Sequence, residues 1–125
     1  MGHIKHDAII VTTSNKKAIY CAACMAQEYG LDTIGPSEPC LNGFRTLLVC
    51  PDGSNENWPD SDNYAAMRNR YIEYLKGLRY DDGSSCLEWL AVSYGNDNCN
   101  AEITAHAWQA GHAHSQAAEM IDYEA

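Results

Sequence analysis

The chain has 125 residues, with 17 Asp and Glu against 8 Lys and Arg, a net charge of −9 and a pI near 4.7. Its 46% hydrophobic and 20% charged residues suit one globular domain with a single core and exclude the sparse, highly charged composition of disordered chains. The acid excess repels a phosphate backbone and argues against duplex nucleic acid, and no run approaches the ~18 apolar residues of a membrane span. Met1–Asp7 is polar and lacks the apolar stretch of a secretory signal, so an intracellular protein is expected.

His6–Thr13 (HDAIIVTT) is a β-branched run that ends in Ser14-Asn15, good capping residues, so a strand leads straight into a helix. In that helix Ile19, Ala22, Ala23, Ala26 and Tyr29 recur at helical spacing, and Gly30 stops it. Leu31–Gly35 predicts a short strand, and Asn42-Gly43 turns the chain into a third, Phe44–Cys50. Pro51–Asp60 (PDGSNENWPD) is a turn-rich loop carrying Trp58. Asp60 or Ser61 caps a second helix whose Tyr64, Met67, Tyr71, Leu75 and Leu78 form a core-facing stripe, with Arg68, Arg70, Lys76 and Arg79 opposite. Asp82-Gly83 turns into Ser85–Tyr94, a strand with Leu90, Val92 and Tyr94 on one face and Leu87, Trp89 and Ala91 on the other. Gly95–Asn100 is a hairpin loop, and Ala101–Trp108 returns as the last strand.

The order β-α-β-β-α-β-β predicts an α+β domain over residues 1–108: an antiparallel sheet with two helices on one face, the ferredoxin-like arrangement with an added hairpin strand. Residues 109–125 read as a tail, a loose helix or disordered. The sheet face without helices needs cover from another subunit, a ligand or the tail, and Trp89 and Trp108 are its candidate aromatics. A homo-oligomer, dimer or hexamer, is therefore expected.

No catalytic constellation emerges. The five histidines (His3, His6, His106, His112, His114) accompany no GxSxG elbow and no pair of His-x-Ser/Thr motifs. Cys21 and Cys24 form a CxxC without a second one among the six cysteines, and inside an Ala-rich helix packing is favoured over redox or metal chemistry. Asp60/Asp62 and Asp81-Asp82 sit where turns and helix starts use Asp. Asp52-Gly53-Ser54 and Asp82-Gly83-Ser84 have the makings of anion-holding nests, but as ordinary turns they need no ligand, and that reading is favoured. No cofactor and no metal is expected. The basic residues are more suggestive: Arg45 stands in strand three beside Asn42 and Phe44, and four of the eight lie on the second helix. Arg with neighbouring aromatics can hold a small ligand that has both phosphates and bases; the helical ones serve equally as a solvated, salt-bridged face.

The succession HDAIIVTTS, Asn42-Gly43-Phe44, Pro51-Asp52-Gly53-Ser54 with Trp58, Asp82-Gly83-Ser84-Ser85 with Leu87 and Trp89, and Tyr94-Gly95-Asn96-Asp97 resembles a family of small phage and prophage proteins. The similarity runs from about Gly2 to Trp108, and the sequence type is associated with the Thoeris anti-defence proteins, phage sponges. That resemblance implies a non-catalytic homo-oligomer in the host cytoplasm that sequesters a cyclic ADP-ribose-type immune signal, in some members cyclic oligonucleotides. It places no pocket residue on this chain. From residue chemistry, Arg45 and Arg68 are assigned to phosphates, Phe44 and Trp58 to stacking, and Asn42 and His106 to hydrogen bonding. The rival is a protein-binding inhibitor whose acids, ranked along one face, mimic nucleic acid. A small enzyme on this fold would require a pocket centred on His106 with a shifted pKa.

Overall fold

A computed structural model describes residues 4–51, 53–55, 59–95 and 101–108. The elements are β1 (Ile4–Thr13), α1 (Lys16–Glu28), β2 (Thr33–Ile34), β3 (Arg45–Val49), β4 (Ser54–Asn55), α2 (Pro59–Lys76), β5 (Glu88–Gly95) and β6 (Glu102–Ala107). The sheet order is β2-β3-β1-β5-β6, every pair antiparallel. This is the α+β, ferredoxin-like order expected, with β6 added at one edge. Trp58 and the 109–125 tail lie outside the described residues.

Local chemistry sets the boundaries. Asn15 caps α1, its Oδ1 accepting from the Ala18 N–H at 2.9 Å. At the other end Gly30 takes φ +75, its N–H donates to Gln27 O and the Leu31 N–H to Ala26 O at 2.9 Å. This pair of bonds is the Schellman arrangement, and it buries Leu31 against the core. Between β2 and β3, Asn42 (φ 61) and Gly43 (φ 76) make the tight turn that Asn-Gly favours, the Phe44 N–H reaching Leu41 O at 3.3 Å.

Both helices cover one face. Ile9 and Val11 of β1, Leu47 and Val49 of β3, and Leu87, Trp89 and Ala91 meet Ile19, Ala22 and Ala26 of α1 and Tyr71 and Leu75 of α2 in one buried cluster. Trp89 is its largest side chain at 1% exposure, which corrects its placement on the uncovered face. Its odd position along β5 points it at the helices with Leu87 and Ala91. The uncovered face carries half-buried Ile10, Leu48, Leu90 and Val92 and, more exposed, Ile34, Ile103 (56%) and Trp108 (53%).

Two departures have simple causes. Ser54–Asn55, expected in a loop, pairs with Ile4–Lys5. β1 starts at Ile4 and outruns β3, which reaches only Ile9 to Thr13, so its first residues offer a bonding edge that β4 takes. Arg68, expected on a solvated helix face, is 8% exposed. It precedes Tyr71 and Leu75 by three and seven residues, the spacing of one helical stripe. Among the described residues, no helix is long and apolar enough to cross a membrane.

Candidate functional site

The start of α1 is held by a buried polar network. The Thr13 hydroxyl donates to Cys86 O at 2.7 Å and accepts from the Asn15 N–H at 3.0 Å, while Asn15 Nδ2 donates to the Tyr80 hydroxyl at 3.3 Å. The partner segment is a tight hairpin closed by Cys86 N–H to Leu78 O at 2.9 Å and Tyr80 N–H to Ser84 O at 2.8 Å. The α1 start is thereby fixed against the exit of α2.

Between them opens a cleft of about 150 Å³ lined by Asn15, Lys17, Cys21, Leu78 and Arg79. It shares Lys17 and Cys21 with a groove of about 410 Å³ along α1, walled by Tyr20, Cys24, Met25 and Tyr74. The two together are of the size that holds a small ligand. Arg45 Nη1 donates to the Tyr20 hydroxyl at 3.3 Å and its guanidinium lies 5.8 Å from that ring's centre, fixing this exposed aromatic as a wall. Burial holds the Tyr74 phenol above its ordinary value, and the Cys21 and Cys24 thiols and Tyr29 beside it push the same way. Tyr71, raised by burial and then by Tyr74, donates its hydroxyl proton to Ala22 O at 2.8 Å and ties the helices together.

Two of the chain's eight cations, Lys17 and Arg79, line the cleft; Lys16 precedes Lys17 on α1, and Arg45 reaches the adjoining groove through Tyr20. Lys76 pairs with Glu73 at 3.1 Å, and Arg79 Nη1 donates to Gly83 O at 2.7 Å. The first turn of α1 contains no acid and its last turn no base; instead Lys16 and Lys17 open it and Glu28 closes it. This is the reverse of what the helix dipole favours, since the N-terminus is already positive. Dipole and lysines add, and the cleft mouth is a place for an anion.

The residues singled out from the sequence fall in three places. Asn42, Phe44 and Arg45 stay together at the β3 start, with only Arg45 reaching the groove through Tyr20. Arg68 lies beneath α2, donating to Asp7 at 3.3 Å in a separate cleft of about 200 Å³. Thr13 faces Arg45 in the ladder, so six residues of β1, about 20 Å of strand, separate the two arginines' anchor points. His106 is on the opposite face of the sheet, its ring stacked on Trp108 with centres 4.9 Å apart. Among the described residues no group of three or more His, Cys, Asp or Glu is placed to hold a metal ion.

Lys16, Lys17, Tyr20 and Tyr74 belong to no motif in the sequence. Two lysines directly after an Asn cap were the available signal, because local rules are broken mostly where something else is gained.

No family model matches the chain, and no curated protein sequence matches it. Among solved structures it is similar to the monomeric guanylyl cyclase domain of the RhoGC fusion protein from the aquatic fungus Blastocladiella emersonii. The TM-score is 0.37 and the identity 11%, over 97% of this chain and 78% of that one.

Proposed function

We propose that the protein binds and sequesters a small cyclic nucleotide of the cyclic ADP-ribose type without turning it over, as a phage counter-defence protein in the host cytoplasm. The observation that carries this reading is the reversed charge of α1: Lys16 and Lys17 at its positive end, opening on a cleft with Arg79 that continues into a groove walled by Tyr20 and Tyr74. Phosphates would sit at the cleft mouth, taking charge-assisted bonds from Lys17, Arg79 and the α1 N–H groups. A base would lie along the tyrosine wall. Arg45 acts by holding Tyr20 and adding positive field. Sequestration needs no more than these anchors, since tight binding without chemistry requires no general base.

The apolar sheet face supports a homo-oligomer. Ile34, Ile103 and Trp108 are exposed there over a half-buried aliphatic floor, a patch that a second copy would cover. The rival acidic mimic calls for carboxylates ranked along one face. Among the described acids, Asp7 on β1 pairs with Arg68, Glu28 closes α1, Asp81 and Asp82 stand in a turn and Glu88 lies on β5.

Calorimetric titration with a cyclic ADP-ribose isomer tests the reading. One saturable site is expected, with the ligand recovered unchanged after heat release. No binding heat with any cyclic ADP-ribose isomer would sink it, and a hydrolysed ligand would replace sequestration with catalysis.

A further inference from the structure

The thiols of α1 line the groove without serving the nucleotide. Cys21 is half-buried and Cys24 exposed, and both are free thiols, so the packing expected of them does not account for Cys24. Met25 follows and lines the same cavity, with Tyr20 and Tyr74 as walls and Lys17 and Glu28 beside it. Cys21 stands at i to Cys24 at i+3 and to Met25 at i+4, and each such pair on a helix lies about 5–6 Å apart at Cβ. A disulfide needs about 3.5–4.5 Å. A regular helix therefore holds these thiols apart from one another yet within reach of an ion bonded to both. The donors are soft: two potential thiolates and a thioether on a flexible stem. Soft sulfur sets of this kind select copper(I) over the harder divalent ions.

We propose that Cys21, Cys24 and Met25 form a three-sulfur site for copper(I). Binding breaks two S–H bonds and forms two Cu–thiolate bonds, with Met25 Sδ donating a third pair. Two protons leave to solvent and copper stays monovalent, so no oxidant or reductant is consumed. The bis-thiolate complex carries one negative charge, and the Lys17 ammonium on the same cavity wall is placed to offset it.

The test is a titration of the full-length protein, reduced and oxygen-free, with copper(I) against bicinchoninate as competing chelator. One equivalent should be withdrawn from the chelator, with near-ultraviolet thiolate-to-copper absorption and two protons released. Cys24→Ser, at an exposed position that leaves the core untouched, should weaken binding at least about tenfold, the loss seen even when groups one step removed from a metal are deleted. Cys21→Ser should do the same. Met25→Leu should weaken binding less and lower the sulfur coordination number read by X-ray absorption from three to two. A protein with Cys40, Cys50 and Cys99 all replaced by Ser should keep the full equivalent. Retention of tight binding in both Cys21→Ser and Cys24→Ser, or its loss in the triple replacement, overturns the site; an unchanged coordination number in Met25→Leu overturns the three-sulfur set. No nucleotide enters the assay, so failure of the sequestration reading leaves this outcome unaffected.

Discussion

The two clefts flanking α2 handle positive charge in opposite ways. Beneath the helix, Arg68 is withdrawn from water and meets Asp7 at 3.3 Å, so its charge is spent inside the molecule. Across the helix, Lys16 and Lys17 stand exposed at the positive end of α1 with no acid in that turn. The first cleft uses a cation for structure, and the second keeps its lysines at the surface. Burial with an opposite charge is the mark of the one, and charge placed against a local rule is the mark of the other.

Substitutions should separate the two. The largest effect is expected from Asp7→Ala, which removes a charge-assisted bond from the buried Arg68 guanidinium and should cost about 1.5–3 kcal/mol in urea unfolding while leaving nucleotide affinity unaltered. A concurrent loss of affinity would merge the two clefts into one site. Lys17→Glu should act in reverse. Removing one charge-assisted contact to phosphate should weaken ligand binding about tenfold, yet an acid in the first helical turn should raise stability by about 0.5 kcal/mol. If that variant bound as well as the parent, the cleft mouth would not be the phosphate site. Tyr20→Ala should lose about 1 kcal/mol of binding as one stacking wall goes, with thermal stability little changed because the ring is exposed. The smallest effect belongs to Arg45→Ala, about 0.5 kcal/mol, and it should vanish in the Tyr20→Ala background if Arg45 works through that ring. An undiminished Arg45→Ala effect in the double variant would return Arg45 to direct phosphate contact.

Much of the frame is readable from residues alone. The β-branched His6–Thr13 run, the Asn15 cap, the Asn42-Gly43 turn and the alternation along Ser85–Tyr94 each correspond to an element in the structure. Each of these signals is local. What the sequence hides depends on partners distant in the chain. Nothing near Ser54–Asn55 announces that the start of β1 lies open to it. Alternation puts Trp89 and Leu90 on opposite faces without saying which face the helices take. Arg68 reads as polar until its stripe is laid over β1 and Asp7. The candidate site was legible only in part: Arg45 and the arginine-rich second helix drew attention, while Lys17 and Tyr20 gained meaning once the exit of α2 was set beside the start of α1.

The Thr13, Asn15, Tyr80 and Cys86 network has a thermodynamic corollary. It joins segments more than sixty residues apart in the chain, and Thr12, beside it, lies across the central β1–β5 ladder from Glu88. The cleft therefore exists only when that ladder has closed, so local fraying cannot present it and an unfolded chain has no affinity to offer. A ligand seated there is linked to the global equilibrium, and its occupancy should raise the midpoint of the whole unfolding transition with ligand concentration, by about 2.7 kcal/mol at a hundred times Kd.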